Sequence, residues 1–128
     1  MLVATTCCLN ILIQTGYLMI NISIIGLGHI ADFQRKALLE LNNKYKIISV
    51  FDKQKSKTRS FGKKIPYEIE EANTLKKVLD NKNVDCVLIS TPPQTHFKIT
   101  KQCLEAKKDV LLESSCIKVR NKAIETIK

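Results

Sequence analysis

Gly26, Gly28 and Ala31 stand in the spacing Gly-x-Gly-x-x-Ala, and Asp52 follows 24 residues after the second glycine. Together these residue types suit the holding of a dinucleotide. Gly26 permits a tight turn, Gly28 lets backbone approach a pyrophosphate, and Ala31 keeps a helix near a strand. The free N–H groups and positive dipole end of that helix would face the phosphates. The Asp52 carboxylate can accept both ribose hydroxyls of adenosine and would repel a 2′-phosphate, which favours NAD. Lys53, Lys55 and Arg59 come soon after and leave NADP open. The plain alternative for Asp52 is a solvated residue at a strand end. No metal-ligand spacing joins the histidines to the cysteines.

Those residues need a frame, and the apolar pattern supplies one. A first strand starting near Met19 runs through Ile22-Ser23-Ile24-Ile25 and ends at Gly26. A helix follows, with Ile30, Phe33, Ala37, Leu38 and Leu41 spaced as one inward face, and Asn42-Asn43 stops it. The second strand, 46–51, delivers Asp52. A lysine-rich segment closing at Phe61-Gly62 reads as a short helix, and a weak third strand falls at 66–69. Thr74 or Asn73 can cap a helix through Leu75, Val78 and Leu79. Residues 84–90 form a continuous apolar run, as in a strand buried on both faces, and Thr91-Pro92-Pro93 ends it. A helix from about Thr95 to Ala106 turns Ile99, Cys103 and Ala106 inward, and 109–112 is a fifth strand. A last helical pattern, 119–128, carries Ala123, Ile124 and Ile127.

Strand and helix alternate with short connections, which predicts an α/β, doubly wound parallel sheet of Rossmann type, order 3-2-1-4-5, without a sixth strand. The 128 residues suit one domain, 19–128, with 1–18 read as a start-site extension or loose segment. Strand five would then be an apolar sheet edge, and self-association is expected. The net charge of +9 is nearly all lysine, and the only arginines are Arg35, Arg59 and Arg120. Without a basic stripe interleaved with aromatics, a solvated surface is favoured over nucleic-acid binding. Residues 1–18 are apolar but interrupted by Thr, Asn and Gln, and no Lys or Arg precedes Arg35. That is a poor match to a secretory signal or a membrane span. Five cysteines without a C-x-x-C read as reduced thiols of a cytoplasmic protein.

With Gly-Leu-Gly-His-Ile-Ala, Asp52, the segment Val84 to His96 and the segment Cys103 to Glu113, the chain resembles the glucose–fructose oxidoreductase / inositol dehydrogenase (Gfo/Idh/MocA) family. The resemblance runs from about Met19 to the end. It implies a nicotinamide dinucleotide, NAD or NADP, lined or shaped by Gly26, Gly28, His29, Ile30, Asp52, Thr91, Pro92 and His96. Glu113 would lie near the nicotinamide ribose. For His96 the alternative is a helix-start histidine bonded locally. Gln34 stands where relatives often have histidine. The family follows its glutamate with Lys-Pro, and the lysine helps catalysis; here Ser114 and Ser115 stand instead. Serine supplies no ammonium charge, so no catalytic residue is assigned. Family members continue into a domain that carries most substrate-binding groups, and this sequence holds no match to it. The expectation is therefore a truncated oxidoreductase domain for a sugar, polyol or sugar derivative, inactive alone, whose second domain could be separately encoded. A non-catalytic NAD-binding module and an inactive gene remnant are the alternatives.

Overall fold

A computed structural model describes residues 19–112. Glu113, Ser114 and the expected helix at 119–128 lie outside the described residues, as does the extension 1–18.

The strands are β1 (Ile20–Ile25), β2 (Tyr45–Phe51), β3 (Glu70–Glu71), β4 (Cys86–Ile89) and β5 (Asp109–Leu111). The helices are α1 (His29–Glu40), α2 (Lys55–Gly62), α3 (Leu75–Asp80) and α4 (His96–Glu105), with a 3₁₀ turn at Pro93–Thr95 before α4. All pairings are parallel, and the order is β3-β2-β1-β4-β5, as the alternation of elements requires. Two apolar cores line the sheet. Ile22, Ile24 and Ile47 pack with Ala31 and Phe61 from α1 and α2, whereas Ile25, Val87 and Val110 pack with Val78 and Cys103 from α3 and α4. Inside the sheet, the fully buried Ser49 hydroxyl donates to that of Ser23 at 2.6 Å, so neither serine strands a polar group.

The helix caps follow local chemistry. Thr74 caps α3 by accepting from the Lys77 N–H at 3.2 Å. The end of α4 is less comfortable. Lys107 sits at φ 63°, and the Lys108 N–H returns to the Cys103 carbonyl at 2.9 Å. That left-handed position suits glycine. Lys108 turns inward and donates to the carbonyls of Asn81 at 2.7 Å and Val84 at 2.8 Å, pinning the approach to β4. Lys107→Gly is expected to stabilise the fold by about 0.5–1 kcal/mol in urea unfolding, since relief of the left-handed strain exceeds the extra freedom of the unfolded chain. A loss of stability would show that the turn tolerates its lysine.

Two expectations need correction. The third strand begins at Glu70, beyond the expected 66–69. Ile65, Tyr67 and Ile69 pack into the α1/α2 core instead, and the Tyr67 hydroxyl accepts the Ile47 N–H at 3.1 Å, in place of a strand partner. The inward face of α1 is also rolled. Ala31 and Arg35 are buried with Leu38 half-buried beside them, while Ile30, Phe33, Ala37 and Leu41 face solvent. The roll is one residue, about 100° on a helix. Its cause is polar: Arg35 donates to Asp32 at 3.0 Å and to the Lys64 carbonyl at 3.4 Å, so its stem packs inward while its head stays satisfied.

Candidate functional site

The carboxyl ends of β1, β2 and β4 bring three segments together. Gly26 follows β1 at φ +87°, and an ideal Cβ there would lie 2.7 Å from Ser90 C and Thr91 N. The turn therefore needs glycine twice over, for its conformation and for the approach of the chain beyond β4. Gly28 differs. Its φ of −91° and ψ of −159° are open to any residue, and among the described residues a Cβ there would meet nothing within 4 Å. Gly28 stands at the N-cap of α1 and brings no side chain to cap it. His29 and Ile30 open α1 and are both exposed.

Asp52 leaves β2 half-buried and faces the glycine turn. Its Oδ2 accepts the Leu27 N–H at 2.9 Å and its Oδ1 accepts the Gln54 N–H at 2.8 Å. Each carboxylate oxygen retains further acceptor capacity. Thr58 steadies the same corner by accepting from the Asp52 N–H at 3.2 Å.

Beyond β4, Thr91 is half-buried and Pro92 exposed. The Thr95 hydroxyl lies 2.7 Å from both the Thr91 hydroxyl and the Pro92 carbonyl. His96 is 2% exposed and sits beneath this loop, its Nε2 hydrogen-bonded to the Thr91 carbonyl. A carbonyl only accepts, so Nε2 carries the proton. Nδ1 is buried without a hydrogen-bond partner among the described residues, as is the Thr100 hydroxyl. The local hydrogen bond weighed for His96 is present, to the Thr91 carbonyl.

A cleft of about 300 Å³ opens beside the first turn of α1, with Gly28, His29 and Asp32 on one wall and Lys57, Phe61 and Lys64 on the other. The Arg35 guanidinium beside Asp32 holds its carboxyl below the usual carboxylate range, and Lys64 adds to this. Lys57 and Lys64 are the cations that reach this wall, whereas Lys53, Lys55 and Arg59 lie exposed outside it. Helical spacing from Phe61 back to Lys57 was the signal for the first. Cys86 and Cys103 are buried free thiols pushed up to about 12 by burial, which suits packing and not nucleophilic work. Among the described residues no cluster of three or more His, Cys, Asp or Glu could hold a metal ion, and no helix is long and apolar enough to cross a membrane.

Residues 20–114 match the family described as an oxidoreductase family with an NAD-binding Rossmann fold, Gfo/Idh/MocA. The chain belongs to this family. Its members bind NAD(P). Galactose 1-dehydrogenase of Pseudomonas fluorescens is 31% identical over 110 residues, which are 85% of this chain and 33% of that protein. An uncharacterised oxidoreductase of Schizosaccharomyces pombe is 27% identical over 95 residues, 73% of this chain and 26% of its own length. The chain thus spans only about a quarter to a third of the curated relatives it matches. Among solved structures, the WlbA dehydrogenase of Bordetella pertussis, in complex with NADH and UDP-GlcNAcA, superposes with a TM-score of 0.72 at 16% identity, over 83% of this chain and 35% of that one. KijD10, a 3-ketoreductase of Actinomadura kijaniata in complex with NADP, gives 0.70 at 20% identity, over 84% of this chain and 36% of its own. At such identities these two likenesses concern the fold.

The Gfo/Idh/MocA cofactor fits what is present. The N-cap of α1 has no side chain, and among the described residues a Cβ at Gly28 would meet nothing within 4 Å, which leaves the first N–H groups of the helix open to an anionic group. One further group escaped the sequence reading. The Ser90 hydroxyl donates to Gln34 Oε1 at 2.6 Å, tying α1 to the end of β4 where the sheet order reverses. Only the place of Gln34 in the family pattern hinted at it.

Proposed function

We propose that this chain is the dinucleotide-holding part of a cytoplasmic oxidoreductase acting on a sugar, polyol or sugar derivative, with NAD preferred over NADP. Gly28 carries the reading: among the described residues no contact within 4 Å requires a glycine there, which supports a space used by a ligand. In this reading Gly26 shapes the turn, and the N–H groups at the start of α1 meet the pyrophosphate. His29, Ile30, Thr91 and Pro92 border the groove, with His96 supporting Thr91 from below. Asp52 accepts from the adenosine ribose while its other lone pairs hold Leu27 and Gln54. Glu113 serves the nicotinamide ribose. The bound cofactor supplies hydride exchange; the groups that select and activate substrate belong to a further domain, on the same or a separately encoded chain. The sugar class is supported by the galactose 1-dehydrogenase relative. Ser114, in place of the family's lysine, favours a second reading as a non-catalytic dinucleotide-binding module.

Calorimetric titration of NAD and NADP into the wild type and Asp52→Ala tests the cofactor assignment. The wild type should prefer NAD. The variant should lose about 1–3 kcal/mol of NAD binding, the scale of hydrogen bonds to a charged group. Its loss for NADP should be smaller, because a charge repelling the 2′-phosphate leaves with it. Equal losses would reduce Asp52 to a support of the turn, and wild-type preference for NADP would reverse the cofactor choice.

A further inference from the structure

β1 and β4 end side by side, Ile25 beside Ile89, and the Ser90 N–H donates to the Ile25 carbonyl at 2.8 Å. Two stretches of chain leave the sheet from that corner. One turns at Gly26 into α1, and the other runs through Ser90 and Thr91 towards α4. They are pressed together at the turn, since a Cβ on Gly26 would lie 2.7 Å from Ser90 C and Thr91 N. A side-chain bond then joins them. Gln34 lies about 9 Å along α1 from Gly28 at helical rise. Helical side chains lean towards the N-terminus, so Gln34 reaches back to the corner, where its Oε1 accepts the Ser90 hydroxyl at 2.6 Å. Both residues are half-buried.

The two stretches joined in this way are the two walls of the proposed groove. The first turn of α1 stands on one side, and Thr91 with Pro92 on the other. Thr91 is steadied within its own loop, by the Thr95 hydroxyl at 2.7 Å and by His96 below it. Those bonds fix the shape of the loop, whereas the bond to Gln34 fixes its distance from α1. A dinucleotide lying across the point where the sheet order reverses touches both walls. Its AMP half is served from one side, by Asp52 and the start of α1.

We infer that Gln34 is a positioning residue. Through Ser90 it sets the separation of α1 from the Thr91–Pro92 loop, and so the fit of the whole dinucleotide but not of its AMP half. This role rests on the dinucleotide groove proposed above, and it needs no contact between Gln34 and the ligand. Walls held at the right spacing beforehand spare the ligand the cost of ordering them.

Calorimetric titration of NAD and of AMP into the full chain tests this, with Gln34→Leu, Ser90→Ala and the double variant. Each single variant should lose about tenfold or more in NAD affinity and less than about threefold in AMP affinity. The double variant should bind NAD within about threefold of the weaker single one, since both substitutions break the same bond. Melting temperatures should fall by no more than a few degrees, because the half-buried partner left behind still meets water. Equal losses for NAD and AMP, or a far larger fall in melting temperature in both single variants, would make the bond a support of the fold and overturn the role. Unchanged NAD affinity in either single variant, or losses that multiply in the double one, would overturn it as well. A wild-type chain that binds neither NAD nor AMP would reject the groove itself, and the role of Gln34 with it.

Discussion

Gly28→Val is expected to weaken NAD binding more than a hundredfold while lowering the melting temperature by only a few degrees. The backbone at Gly28, φ −91° and ψ −159°, is extended and accepts a β-branched residue. Among the described residues a Cβ there touches no atom within 4 Å. The folded chain therefore loses only the modest advantage of glycine over valine at a helix start, below about 1 kcal/mol. The proposed ligand should lose far more, because the added side chain takes up space at the N-cap of α1, where the proposed pyrophosphate lies. A hundredfold loss corresponds to about 2.7 kcal/mol, the scale of overpacking plus one charged hydrogen bond. Gly28→Ser sharpens the result. Serine caps a helix better than glycine, so stability should hold or rise while affinity still falls. Titration calorimetry and thermal melts on the same samples decide it. NAD affinity within threefold of wild type in Gly28→Val would remove the cradle from the proposed function.

Gly26→Ala should do the opposite and damage the fold itself. The left-handed φ of +87° costs an L side chain about 1–2 kcal/mol. The added Cβ would also stand 2.7 Å from backbone atoms of Ser90 and Thr91 and 2.8 Å from Thr91 Cγ2. Backbone cannot rotate away as a flexible side chain can. Relief must come from parting β1 from the chain beyond β4, at a cost of about 1–3 kcal/mol for overpacking. The sum, about 2–5 kcal/mol, is a large part of the total for a domain of this size. Urea unfolding should show the midpoint falling sharply, with cofactor binding lost because the folded population is lost. A destabilisation under 1 kcal/mol would mean that the turn has room the geometry denies. Two glycines two residues apart are thus expected to fail in different ways, one through the ligand and one through the fold.

The alternation of apolar runs with amphipathic stretches determined the parallel sheet and its order, because short connections and right-handed crossovers leave few topologies. Glycine spacing and the position of Asp52 pointed to the corner where β1 and β2 end, since the turn chemistry is local in sequence. The motif beyond β4 added the family. Local pattern could not decide what separate elements do once they meet. Gly26 and Gly28 look alike in the sequence, and only the approach of Ser90 and Thr91 separates a glycine needed by the fold from one left open to a ligand. Asp52 reads as a ribose acceptor, but its bonds to Leu27 and Gln54 also make it a brace for the turn. Helical periodicity put Phe33 inside, because it counts apolar residues and gives no weight to a buried arginine. Arg35 is tolerated inside because Asp32, on its own helix, and the Lys64 carbonyl, from the chain after α2, satisfy it. That bond to Lys64 links residues 29 positions apart. It exists only after the chain has folded, and it sets which face of α1 the core receives.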